Sequence, residues 1–154
     1  MPAFFFDSSA LVKRFALERG TQYVLNLLRP SARHRLYCAR ITEVEVCAAL
    51  VRRHKATGMT DSDAARALRR LQRDLPRRFT QIAISEKVIV EAVRLAETYA
   101  LRGYDAVQLS AAIDANSERV INGLSPLTLV SADAELNDAA TDEGLSVEDP
   151  TSHR

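Results

Sequence analysis

Four carboxylates stand out by where they fall: Asp7 closes the apolar run "FFFD", Asp133 closes "LVSAD", Glu45 lies in "ITEVEV" and Asp105 in "GYDAVQL". The first two end candidate strands where a helix begins, and the other two sit in the first turn of candidate helices. If the strands run parallel, the helix starts that follow them share the carboxyl edge of the sheet, where open α/β sheets bind ligands. Acids gathered there would repel, and some would take up protons unless a cation neutralised them. Oxygen-only ligands suit a hard divalent ion, and Mg²⁺ keeps several waters while using few carboxylates.

Helix capping explains each acid taken singly. Asp is a preferred N-cap, and acids in a first turn complement the helix dipole. Thr42 to Glu45 spells a T-x-x-E capping box, and Asp105 to Gln108 has a similar spacing. The pattern also leaves Glu43 and Glu45 open as the helical acid, because both flank apolar positions on a helix whose strongest stripe is Ile41, Val44, Ala48 and Val51.

The elements that would position these acids alternate along the chain. Strand-like runs occur at "AFFF", "RLYCARI", "FTQIAIS", "LTLV" and "LSVE". Helical patterns fill the intervals: "SSALVKRFALERG" and "TEVEVCAALVRRHKATG", each closing on Gly, then "TQYVLNLLR", "DSDAARALRRLQRDL", "SEKVIVEAVRLAETYALRG", "YDAVQLSAAIDANSERV" and "SADAELNDAATDEG". That alternation implies βαβ units and a doubly wound α/β fold. The 154 residues fit a single domain over 1–149, followed by a short frayed tail at 150–154.

Composition excludes several classes. With 47% hydrophobic and 27% charged residues and few Gly or Pro, the chain is neither disordered nor collagen-like. No apolar run approaches the roughly 20 residues that span a bilayer, and no export signal is evident, so a cytoplasmic protein with no membrane partner is expected. Cys38 and Cys47 suit small buried hydrophobes. His34, His54 and His153 lack the spacing of a metal site or a nucleophilic triad. Net charge is +1, but its distribution is uneven: between Arg52 and Arg78 lie eight Arg and one Lys against three Asp, and Lys and Arg are absent between Arg119 and Arg154.

The blocks "FFFDSSALVKRF", "ARITEVEVCAALVRR", "LRGYDAVQLSAA" and "LTLVSADAELNDAA", in that order and spacing, resemble the PIN-domain nucleases, and among them the VapC toxins of bacterial toxin–antitoxin pairs. The likeness spans nearly the whole chain and implies a PIN-like open, mostly parallel sheet of about five strands flanked by helices. The family's D-S/T-S-A-L motif places its first acid on Asp7 and its second serine on Ser9. Its T-x-x-E-V glutamate, followed by A-L, selects Glu45 over Glu43. The Y-D-A-x-x-L-A acid falls on Asp105, and the more variable T-x-D-x-x-L acid falls on Asp133, with Ser131 in place of threonine. Ala39 and Ser110 depart from common family residues at positions not expected to bind metal.

This resemblance implies an endoribonuclease dependent on Mg²⁺, or Mn²⁺, held by Asp7, Glu45 and Asp105, with Asp133 orienting water or a second ion. Ser9 and Ser131 would fix carboxylate rotamers by hydrogen bonding. The implied partners are RNA, a VapB-like antitoxin that inserts Arg or Lys into the acidic cleft, and a second copy in a homodimer. The competing reading is a non-catalytic PIN-like interaction module whose acids only cap helices. A phosphoacceptor receiver domain fits less well, because serines follow Asp7 and Lys13, Lys55 and Lys87 are the only lysines.

Spacing, rather than resemblance, marks a further feature. Arg66, Arg69, Arg70 and Arg73 fall on one stripe of a predicted helix, with Arg77 and Arg78 adjoining, and Ala64, Leu68, Leu71 and Leu75 opposite. A ribonuclease with an acidic site needs basic surface to hold the RNA backbone, and these arginines are its candidates; a solvated polar face is the alternative.

Overall fold

The apolar run at residues 3–6 is buried on both faces of a sheet. In the computed structural model, which describes residues 1–153, Ala3 and Phe5 enter one core while Phe6 enters the other. Alternation of side chains across a strand explains why such a strand carries no polar positions. The elements are β1 (Ala3–Phe6), α1 (Ser8–Leu11), α2 (Thr21–Leu27), β2 (Arg35–Ala39), α3 (Thr42–Thr57), α4 (Asp61–Arg78), β3 (Thr80–Ile82), α5 (Glu86–Tyr99), α6 (Gly103–Ile121), β4 (Thr128–Val130), α7 (Ala134–Asp142) and β5 (Ser146–Glu148).

The sheet order is β3-β2-β1-β4-β5, and every pairing is parallel. One core joins Phe5, Ala39 and Leu129 to Leu95, Leu109 and Leu136 of α5, α6 and α7. The other joins Phe6, Cys38 and Val130 to Leu11, Val46 and Leu71 of α1, α3 and α4. From β1 the chain proceeds outward through β2 and β3, then crosses to β4 on the other side. The strand order therefore reverses at β1, and a crevice opens beyond the carboxyl ends of β1 and β4. The Asp7 N–H donates to the Val130 carbonyl at 3.2 Å, which makes the last rung between those strands. Among the described residues, no helix is long and apolar enough to cross a membrane.

The structure corrects the expected elements in four places. The first helix does not run to Gly20. After α1 a 3₁₀ turn covers Val12–Arg14, and Gly20, at φ 89°, begins α2. Here the chain folds back on itself: buried Lys13 reaches Glu18 at 2.7 Å, and Glu18 is also held by Arg53 of α3. Of the tail expected to fray, residues 150–153 are docked, and residue 154 lies outside the described residues. Asp149 caps a 3₁₀ turn at Pro150–Ser152, and the His153 ring stacks on Tyr23 at 3.8 Å. On α3 the buried face is Thr42, Val46 and Leu50, while Val44 and Val51 are 68% and 39% exposed, so the apolar stripe read from sequence points outward. Finally, α4 continues past Leu75 through Pro76 to Arg78, held by buried Leu71, Leu75 and Phe79.

Gly20 and Gly58 both occupy left-handed backbone, which costs a residue bearing a Cβ about 1–2 kcal/mol. A Cβ on Gly58 meets nothing within 4 Å, whereas one on Gly20 would lie 2.7 Å from the Pro150 carbonyl oxygen. Gly20→Ala should therefore lower the melting temperature clearly more than Gly58→Ala, at roughly 2–4 °C per kcal/mol for a domain of this size. Thermal melts of the two variants check this, and equal shifts would show that the docked tail yields freely.

Candidate active site

Asp7 ends β1 in extended backbone and caps α1, accepting from the Ala10 N–H at 3.0 Å. It is 3% exposed. Ser9 donates to its Oδ1 at 2.7 Å, and Ser131, beyond the end of β4, donates to its Oδ2 at 2.9 Å. Each serine oxygen in turn accepts a backbone N–H from the β4–α7 loop, Ser9 from Ala132 at 2.9 Å and Ser131 from Asp133 at 3.1 Å. Two short relays thus tie the loop that carries Asp133 to the carboxylate at the end of β1. Burial outweighs all these hydrogen bonds and pushes the Asp7 pKa up to about 7, with the charge of Asp105 adding to the rise.

Glu45 sits on the first turn of α3, but no capping box forms. Ile41 occupies the N-cap position without a side-chain bond, so Thr42 is already inside the helix. Thr42 and Glu45 are instead bridged by Gln108 of α6, whose Nε2 lies 2.9 Å from Thr42 Oγ1, 2.8 Å from Glu45 Oε1 and 3.1 Å from Ser8 Oγ. Gln108 is 1% exposed, and its Oε1 has no hydrogen-bond partner among the described residues. An unpaired buried carbonyl of this kind costs about 1–3 kcal/mol. By spacing alone Gln108 reads only as a reciprocal cap for Asp105. The signal that spacing overlooks is a lone amide among Ala106, Leu109, Ala111 and Ala112 on the buried side of α6.

Asp105 is in the first turn of α6 and does not cap it either, since Arg102 is at the N-cap. Partial burial raises its pKa, and the charges of Asp133 and Glu45 raise it further, against a smaller opposing effect from Arg102. Asp133 does cap α7, accepting from the Leu136 N–H at 2.9 Å. Capping therefore accounts for the positions of Asp7 and Asp133 but not for those of Glu45 and Asp105. All four acids belong to one electrostatic cluster with Asp105 at its hub, as it acts on Asp7 and is acted on by the other two.

Among the described residues, no three His, Cys, Asp or Glu side chains stand close enough to form a ready metal cage. The acids interact through charge rather than through shared coordination distances. An all-oxygen cluster of that kind fits an ion that retains its waters and takes few direct carboxylates, the habit of Mg²⁺, better than one needing a closed cage.

A groove of about 450 Å³ adjoins Glu45, lined by Ser8, Val12, Val44, Arg52 and Tyr104 among others. A second groove, of about 360 Å³, lies between α3 and α4 and shares Val44 and Ala48 with the first. The exposed ridge of α3 thus separates the acids from α4, and the arginine stripe is not brought to the carboxylates. Arg66, Arg69, Arg70, Arg73 and Arg77 are exposed, although Arg66 lies 3.9 Å from Asp63 and Arg73 3.3 Å from Asp74. Half-buried Arg78 is engaged by the Leu28 carbonyl and is structural. Cys38 and Cys47 are free, and burial pushes the Cys38 thiol up to about 12, in keeping with a small core residue.

The raised pKa of Asp7 has a consequence for stability. Between its ordinary value of 3.8 and about 7, native Asp7 keeps a proton that the unfolded chain has lost. Its contribution therefore disfavours the folded state increasingly as pH rises through that window, by up to about 1.4 kcal/mol per unit. In chelator, Asp7→Asn should gain stability relative to the parent as pH goes from 5 to 8, measured by urea denaturation. A constant difference across that range would mean that Asp7 titrates normally.

A PIN domain family model matches residues 4–141. No curated protein matches the chain by sequence. Among solved structures, the chain is similar to a toxin–antitoxin complex from Klebsiella pneumoniae, with 20% identity over 95% of this chain and 96% of that one and a TM-score of 0.60. FitAcB from Neisseria gonorrhoeae is 15% identical over 98% and 99% of the two chains, with a TM-score of 0.64. VapBC2 from Rickettsia felis, bound to a DNA fragment from its promoter, is 16% identical over 96% and 98%, with a TM-score of 0.62. Those likenesses establish the fold, and since the family model covers both the central strand with its terminal acid and the helix starts around it, this chain belongs to the PIN domain family.

Proposed function

We propose that the chain is a divalent-metal-dependent endoribonuclease serving as the toxin of a VapBC-type toxin–antitoxin pair. The observation that carries this reading is Asp105: a partly buried acid that caps no helix and is pressed by the charges of Asp133 and Glu45. Repulsion among these charges and the partial burial of Asp105 both oppose its ionised form, and acids set against one another in this way favour a chemical role over a purely structural one. PIN domains are generally nucleases, and the similar solved structures include toxin–antitoxin complexes.

Bound at Asp7, Glu45 and Asp105, Mg²⁺ or Mn²⁺ would supply Lewis acidity to water and to a phosphodiester oxygen. The chain's own residues prepare that site. Ser9 and Ser131 fix both oxygens of Asp7, and Gln108 holds one oxygen of Glu45. Asp133, anchored at the start of α7, would orient the attacking water or a second ion. Attack at phosphorus with cleavage of the bond to O3′ leaves a 5′-phosphate and a 3′-hydroxyl.

The exposed arginines of α4 supply the basic surface that an acidic site lacks, and they would hold the RNA backbone through its phosphates. An antitoxin Arg or Lys entering the cleft would pair with the same carboxylates, and a homodimer would carry two such clefts.

Three outcomes are expected. Asp105→Asn should reduce EDTA-sensitive RNA cleavage to background while the protein remains folded. Mg²⁺ at about 100 times its dissociation constant should stabilise the parent by about 2.7 kcal/mol and the variant by less. A folded parent that neither cleaves RNA nor gains stability from Mg²⁺ or Mn²⁺ would support the interaction-module reading instead. In catalytically inactive protein, Arg69→Ala with Arg73→Ala should weaken RNA binding across sequences and shallow its salt dependence, by about 0.7 in log–log slope for each phosphate no longer neutralised. Unchanged affinity and slope would leave the stripe a solvated face.

A further inference from the structure

The reading of a metal-dependent site gives Gln108 a task that the acids do not share. Its Nε2 carries two hydrogens and lies within reach of three acceptors, Ser8 Oγ, Thr42 Oγ1 and Glu45 Oε1. Of these only Glu45 can be ionised, and hydrogen bonds to an ionised acceptor are the stronger ones. The other hydrogen is left to the hydroxyls of Ser8 and Thr42. Both hydroxyls could donate instead to the amide oxygen if the amide were reversed. That orientation would satisfy Gln108 Oε1, which has no partner among the described residues, but it would set a carbonyl oxygen against Glu45. The carboxylate therefore decides which way the amide points.

We infer that Gln108 is the positioning residue of Glu45: its buried amide N–H fixes the carboxylate of Glu45 at the orientation needed for metal binding and ties α3 to α6 and α1 across the site. Three features set it apart from an ordinary core glutamine. It is fully buried, its own carbonyl has no partner among the described residues, and it reaches from the helix that carries Asp105 to Glu45 and to the residue beside Asp7. The arrangement parallels that around Asp7, where Ser9 and Ser131 hold the carboxylate. Among the described residues Glu45 has one such donor, from one side.

This inference rests on the proposed function, and its test separates the two. Mn²⁺ affinity is measured by titration calorimetry on the parent, Gln108→Met, Glu45→Gln and the double variant, with circular dichroism and thermal melts confirming folding. Methionine keeps the length of glutamine without its N–H. Gln108→Met should weaken Mn²⁺ binding about 10–100-fold, the usual effect of losing a hydrogen-bond partner behind a ligand. In the Glu45→Gln background the same change should add little, because the residue acts through Glu45. On RNA the loss should fall on kcat more than on KM.

Gln108→Asn, which keeps the amide but falls one methylene short, should show the same loss, and it decides the matter if the methionine variant does not fold. Parent-like Mn²⁺ affinity in either folded variant, or additive losses in the double variant, would overturn the inference and leave Gln108 a structural tie. A parent that binds no Mn²⁺ and cleaves no RNA would overturn the metal-site reading and, with it, this role for Gln108.

Discussion

The burial of one carboxylate governs the rest of this structure. Asp7 lies at the end of the central strand, beneath α1 and against the last rung of β4, where water cannot solvate it. A charge there is tolerable only with hydrogen-bond donors around it, and the chain provides three: the Ala10 N–H and the hydroxyls of Ser9 and Ser131. Those donors dictate the local geometry. α1 must begin immediately after β1, and the loop after β4 must come close enough for its backbone N–H groups to reach both serines.

From that fixed point the site is assembled by helix starts rather than by loops. α3, α6 and α7 each deliver an acid in or at the first turn, where the dipole favours negative charge. The dipoles favour each negative charge, while burial first and the neighbouring carboxylates second raise the pKa values of Asp7 and Asp105. Rigid elements hold the acids at a distance set by helix packing, and Gln108 bridges two of those elements inside the packed layer. On the other side of α3, the outward-facing Val44 and Val51 form an apolar ridge between the acidic crevice and the basic helix α4. The near-neutral net charge thus hides two surfaces of opposite character on either side of one helix.

Much of this was legible in the residues because local patterns fix local structure. The five strands fall where the apolar runs do, and α5 and α7 begin at their capping residues Ser85 and Asp133, whereas α5 stops at Tyr99 short of the expected Gly103, which opens α6 behind Arg102 without a side-chain cap. Asp7 and Asp133 cap the helices that their positions predict. The PIN resemblance places Glu45 ahead of Glu43; in the fold Glu45 turns toward α6, while Glu43 pairs with Arg40 at 2.8 Å. The expectations that failed were those in which a short-range pattern competed with a long-range interaction. The T-x-x-E box did not form because Thr42 and Glu45 met Gln108, 66 and 63 residues away. The helix from Ser8 broke because Lys13 and Glu18 closed a turn against Arg53.

Side-chain periodicity and turn chemistry act over a few residues, so the residues alone carried the parallel sheet, the succession of helices and the two strand ends bearing Asp7 and Asp133, while Glu45 and Asp105 were singled out by the PIN resemblance. Contacts between distant elements settled that Glu45 and Asp105 cap no helix, that Gln108 holds Glu45 from behind and that Asp105 meets the charges of its neighbours. They also decided that the apolar stripe of α3 faces outward, because α1 and α4 pack on the face bearing Val46 and Leu50. Desolvation, the pairing of Gln108 and the partition of charge across α3 depend on groups brought together from distant parts of the chain, and no local pattern encodes those distances.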